Sequence, residues 1–163
     1  MNQYDVVMLM KEIPAEGVLQ WSIGAVLEVY DETHYEVEIC DKEGITKFLG
    51  VLSNEYIELI WENSTMNYVG RFKMLLNILN EIKDIVDNPN TDMTWTSYCN
   101  EKEFIQELDL LINDFKKGVK GCIDRLKLLF APSGILQEIS LSNGWGERFN
   151  EISDGFDKLI FLP

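Results

Sequence analysis

Histidine is almost absent from this chain: His34 is the only one in 163 residues. A Ser-His-Asp or Cys-His pair, or an imidazole relay, would have to use it. It falls in an alternating stretch among acidic neighbours, where a solvated strand residue is the simpler reading. Cysteine is scarce and odd in number. Cys40, Cys99 and Cys122 show no CxxC spacing, which argues against a disulfide framework and against structural zinc. No apolar run approaches the roughly 20 residues of a membrane span. The opening Met1-Asn2-Gln3-Tyr4-Asp5 lacks the basic and apolar regions of a secretory signal, so a cytoplasmic protein is expected. Walker A, Gly-x-Ser-x-Gly and His-Glu-x-x-His motifs are missing, and Asp41-Lys42-Glu43-Gly44 lacks EF-hand spacing. The expectation is a protein that is not an enzyme and needs neither cofactor nor metal.

Basic side chains are the next shortage. Lys and Arg number 14 against 28 Asp and Glu, a net charge of −14. Residues 1–66 hold three basic side chains (Lys11, Lys42, Lys47) against 13 acidic ones, so −10 of the excess lies there. Such a field repels phosphate backbones, whose binding needs clustered Lys and Arg. Nucleic acid is therefore a poor partner and a basic protein a good one. Acidity also serves solubility alone.

What the chain does have is hydrophobic pattern, and its period changes near residue 66. Before that point apolar residues alternate; after it they recur every three or four. Asp5 to Leu9, Gly24 to Tyr30, His34 to Cys40, Phe48 to Leu52 and Tyr56 to Trp61 read as five short strands. In the third, Tyr35, Val37 and Ile39 share one face and His34, Glu36, Glu38 and Cys40 the other. The turn ending in Gly44 supplies the left-handed position a hairpin wants. So small a sheet gains by closing on itself and losing its edges, so an antiparallel SH3-like barrel over residues 1–62 is expected.

Residues 67–163 read as a helical domain of about three main helices, giving an α+β chain. Tyr68, Phe72, Leu75, Leu76, Leu79, Ile82 and Val86 form one stripe, which Asn88-Pro89 ends. Asn100, with Glu103 three residues on, reads as an N-cap and capping-box acid. From Phe104 to Phe130 a single phase predicts one long helix, bent at Gly118 and Gly121. A last helix is expected from Glu147 to Leu159. Trp95, Tyr98 and Trp145 are expected to cover the core. The run Phe130-Ala131-Pro132-Ser133-Gly134, continued by Asn143-Gly144-Trp145, reads as a capped connection. An apolar helix stripe left uncovered would pair in a homodimer.

The segments Tyr4-Asp5-Val6-Val7, Gly24-Ala25-Val26, Tyr35-Glu36-Val37-Glu38-Ile39 and Asp41-Lys42-Glu43-Gly44 resemble a small bacterial domain family of unknown function. The resemblance spans about residues 3–61 and implies a short SH3-like barrel, not an activity. Phe130 through Ser140 with Asn143-Gly144-Trp145 is similar to small acidic helical proteins of bacterial toxin–immunity loci.

Together these readings point to a non-enzymatic immunity or inhibitor protein that blocks a basic cognate toxin, for example a nuclease. Glu28, Asp31, Glu32, Glu36, Glu38 and Glu43 are the candidate acidic face, with Trp21 and Tyr30 as aromatic anchors. The alternative is a general interaction or scaffold module with an unrelated protein partner. A third reading, an RNA-associated barrel, is opposed by the charge.

Overall fold

The computed structural model describes residues 1–161, with the side chains of residues 67, 68 and 161 outside the description. Two compact units divide the chain, Met1–Met74 and Leu75–Pro163.

The first unit is built on antiparallel strands β1 (Val6–Leu9), β2 (Ile23–Val29), β3 (His34–Cys40), β4 (Thr46–Ser53), β5 (Ile57–Glu62) and β6 (Asn67–Tyr68). They lie in the order β4-β3-β2-β1-β5-β6. The α+β order read from the sequence holds, and the five expected strands are present with shifts of one or two residues at their ends. The β6 strand was not foreseen, and Tyr68 belongs to it by backbone instead of opening a helix.

Closure into a barrel does not occur. Only Asn54, Glu55 and Tyr56 join β4 to β5, and four residues of extended chain span at most about 14 Å. In a flat sheet those strands would be four spacings apart, about 19 Å, so the sheet has to curl. Backbone hydrogen bonds from the Tyr56 N–H to the Ser53 carbonyl (2.9 Å) and from the Met10 N–H to the Tyr56 carbonyl (2.7 Å) hold the corner. No ladder joins β4 to β5 or β6 among the described residues, so β4 remains an edge.

Alternation decides what β2 and β3 bury, whereas β1 is buried at three consecutive residues, Val7, Met8 and Leu9. Val7, Leu9, Val26, Tyr35, Val37, Ile39, Leu52 and Ile57 form one buried cluster with Val18. Asp5, fully buried, anchors the start of this unit. Its carboxylate accepts the Asn2 N–H at 2.6 Å and the Asn63 N–H at 2.9 Å, tying residues 58 apart in sequence.

The second unit is helical. Helix α1 (Arg71–Val86) crosses the boundary between the units; α2 (Glu101–Lys116), α3 (Cys122–Phe130), α4 (Ile135–Ser142) and α5 (Gly146–Phe161) follow. The α1 stripe is Met74, Leu75, Ile78, Leu79, Ile82 and Val86, all buried, while the expected Phe72 is exposed. Asn100 caps α2 as foreseen, its Oδ1 accepting the Glu103 N–H, and Glu103 returns a bond to the Cys99 N–H.

The single long helix expected between Phe104 and Phe130 is two helices. Gly118 takes φ +66°, its N–H reaches the Phe115 carbonyl (3.1 Å), and the Val119 N–H reaches the Asp114 carbonyl (3.0 Å). That paired closure is a Schellman stop, which needs a left-handed residue. Gly121, at φ +83°, then opens α3. Val119 falls in the break and is exposed. Phe130 stacks on Phe156 with ring centroids 3.9 Å apart, joining α3 to α5. A bidentate amide, Asn143, accepts the Asp92 N–H (2.7 Å) and donates to the Asp92 carbonyl (2.9 Å), so the distinctive run after Phe130 pins a loop.

Candidate functional site

The outer surface of β2, β3 and β4 gathers part of the acidic set, and a bulge is the cause. Val26 pairs with Val37, but the next partner of Glu36 is Glu28, so Leu27 is an inserted residue. In a regular strand Glu28 would follow the parity of buried Val26 and point to the core. The bulge turns it outward, opposite Glu36. Glu38 lies two residues along the same face, opposite Ala25 on β2 and Leu49 on β4. Val51 stands opposite Glu36 on β4. Two rows cross the sheet in consequence: Glu28, Glu36, Val51, and Ala25, Glu38, Leu49.

Like charges directly opposite each other in an antiparallel pair are destabilising. Glu28 and Glu36 stand in that arrangement. Tyr30 lies beside them, 54% exposed, and the negative charge of Glu36 raises its phenol pKa, with desolvation and Glu28 adding to the effect. Glu38 has a local partner, the Thr46 hydroxyl, which donates to it at 2.6 Å.

The remaining candidates are elsewhere. Asp31 and Glu32 occupy the β2–β3 turn, and Glu43 the β3–β4 turn. These turns sit at opposite ends of the seven-residue β3, roughly 20 Å apart. Asp31 is committed to its turn, accepting from the Thr33 N–H (2.7 Å), the Thr33 hydroxyl (2.8 Å) and the His34 N–H (2.8 Å). Those bonds, the Thr33 N–H foremost, hold its carboxyl well below the usual range. His34 faces Asp31 through Nδ1 at 3.1 Å on the exposed surface. Trp21 is 2% exposed and cannot be a surface anchor; its positive φ of 68° places it in the turn before β2. Of eight candidate residues, the structure brings together Glu28, Glu36, Glu38 and Tyr30.

Leu49 and Val51, 57% and 53% exposed, complete the face and were missed as surface residues. The signal was present in Phe48-Leu49-Gly50-Val51-Leu52, a run apolar at both parities. In β4 only the Phe48 and Leu52 parity packs against the buried cluster, which leaves Leu49 and Val51 on the outer face.

The second unit has open hollows of about 450 Å³ beside Gln137, Ser140 and Phe149 and about 380 Å³ beside Thr91, Met93 and Thr96. A more apolar cavity of about 180 Å³ is lined by Tyr98, Phe104, Leu108, Leu111, Arg125 and Leu129. Small-molecule sites are usually about 300–1,000 Å³. Its polar groups are already paired: Tyr98 donates to Glu107 at 2.9 Å and Arg125 to Asp114 at 3.0 Å. Burial first, then the Glu107 bond, pushes the Tyr98 phenol up to about 12. Trp95, expected to cover the core, is instead 73% exposed. Cys40 and Cys99 are exposed free thiols and Cys122 a buried one. No helix among the described residues is long and apolar enough to cross a membrane.

Residues 3–59 match the model of a domain of unknown function, DUF4926. The match takes in β1 to β4 and half of β5, and stops short of every α-helix. No curated protein and no solved structure matches the chain.

Proposed function

We propose that this protein is a non-enzymatic inhibitor that binds a basic protein partner through the outer face of β2, β3 and β4. The partner class that fits best is a cognate bacterial toxin, such as a nuclease, which this chain would render harmless as its immunity protein. The observation that carries the reading is the placement of Glu28 opposite Glu36, with Glu38 on the same face. The arrangement costs the free protein stability, and a basic surface docked on it would remove that cost. Opposite potentials would also speed encounter and fix register. Tyr30 is the exposed aromatic best placed as an anchor. In the second unit, the resemblance of the Phe130–Ser140 run to toxin–immunity proteins points the same way. A reducing compartment, the cytoplasm, suits three free cysteines.

A general scaffold module remains the second reading, favoured by exposed Leu49 and Val51, which suit a docking surface of any chemistry. The test separates the two. Partners captured by the full chain from its host lysate are identified, then re-bound to the Glu36→Lys, Glu38→Lys double variant. The inhibitor reading expects a basic protein whose toxic activity returns on release and which the variant fails to hold. A partner without toxic activity, held equally well by the variant, would establish the scaffold.

A further inference from the structure

The hydrogen-bond parity of β4 tells which of its backbone groups are spoken for. The Asn54 N–H donates to the Thr33 carbonyl at 2.9 Å, which makes Thr33 and Asn54 a bonded pair. Bonded and non-bonded pairs alternate along an antiparallel ladder. The register runs from His34 opposite Ser53 to Ile39 opposite Phe48. Leu52, Gly50 and Phe48 therefore bond to β3, while Val51 and Leu49 direct their N–H and C=O groups away from it. The other side of β3 agrees: the Tyr30 N–H donates to the His34 carbonyl at 3.0 Å, so the His34, Glu36 and Glu38 parity bonds to β2. Since β4 ends the sheet, Leu49 and Val51 present two donors and two acceptors that meet no hydrogen-bond partner among the described residues.

Natural edges are usually guarded by a lysine, a proline or an inward charge. Strand β4 carries no proline, and its one lysine, Lys47, is drawn to Asp41 at 2.9 Å. The side chains above the free groups are the exposed Leu49 and Val51, and behind them in register stand Glu38 and Glu36. A strand added at this edge would lie about 10 Å, two strand spacings, from β3. A Lys or Arg placed opposite Leu49 or Val51 would lay its aliphatic stem on that side chain and extend its charged head toward the carboxylate beyond.

We propose that the free edge of β4 takes an extended segment of a basic protein as an added strand, with Lys or Arg at alternate positions crossing Leu49 and Val51 toward Glu38 and Glu36. This rests on the acidic-face reading and specifies how that face is engaged: main-chain bonds supply the docking, and alternate side chains supply the selection. A second copy of this chain is the poorer occupant, because it would bring another net −14 to the same edge.

The test uses the full chain and a synthetic extended peptide of roughly ten residues alternating Arg with Val. Binding is followed by fluorescence anisotropy and by amide hydrogen exchange. The expected result is saturable binding with exchange slowed at the Leu49 and Val51 amides. Backbone N-methylation of the peptide at alternate residues should weaken binding by about tenfold or more, and so should Glu36→Lys with Glu38→Lys. N-methylation leaves the protein untouched, so its effect is free of any folding defect. Undiminished binding of the methylated peptide, with loss on charge reversal, would overturn edge docking and leave the acidic face standing. Loss on methylation alone would overturn the basic partner. No binding at millimolar peptide, or protection of Leu49 and Val51 that grows with protein concentration alone, would also overturn the proposal, the latter in favour of self-pairing.

Discussion

Asp5 and Asp31 show how differently two carboxylates of the first unit are used. Asp5 is fully buried and receives two backbone N–H groups, from Asn2 before β1 and from Asn63 just after β5. Asp5→Ala should cost about 1–3 kcal/mol in urea unfolding, the usual penalty for orphaning part-buried donors, whereas Asp5→Asn should cost less. Asp31 is exposed, and the Thr33 N–H chiefly, with the Thr33 hydroxyl and His34, depresses its proton affinity below the ordinary value of 3.8. A carboxyl depressed in the folded state lends stability that is fully present above its unfolded pKa. That stability fades as pH falls through the folded value. Melting temperature should therefore drop with acid below about pH 4, and Asp31→Ala should flatten part of that drop. An unchanged acid slope in the variant would show that the turn bonds do not couple to folding.

Elements reveal what pattern could and could not tell. Strand β3 was legible because its inward residues, Tyr35, Val37 and Ile39, alternate without interruption. The bulge at Leu27 was not, since inserting one residue leaves composition and rough alternation intact while reversing the direction of Glu28. The α2–α3 break was hidden for a related reason: the stripe keeps its phase across Gly118 and Gly121, so periodicity argued for continuity while two left-handed glycines ended one helix and began another. Replacing Gly118 by Ala, at φ +66° with no atom within 4 Å of the new Cβ, isolates the backbone effect and should destabilise by about 1–2 kcal/mol. Calorimetry or urea titration reads it. On the sheet, Glu28→Lys converts a like-charge pair into an opposite-charge one. It should stabilise the free protein by about 0.2–1 kcal/mol while weakening the basic partner. An acidic face kept only for solubility would show the first effect without the second.

Across the whole molecule, charge and chemistry divide unevenly. The first 66 residues carry −10 of the net −14, and the family match at residues 3–59 falls within that acidic stretch. Trp21 could not be told from a surface aromatic by composition, because burial depends on how the turn before β2 folds back. The exposed Leu49 and Val51 were hidden by a run whose two parities look alike. The central claim is that Glu28, Glu36 and Glu38 attract a basic partner, and one measurement meets it directly. The association rate of the captured partner is measured across a salt series for the native chain and for the Glu28→Lys, Glu36→Lys, Glu38→Lys variant. The account predicts a native rate that falls at least about tenfold from low to high salt, and a variant that starts slow and barely responds. Equal rates and equal salt slopes for the two proteins would contradict it.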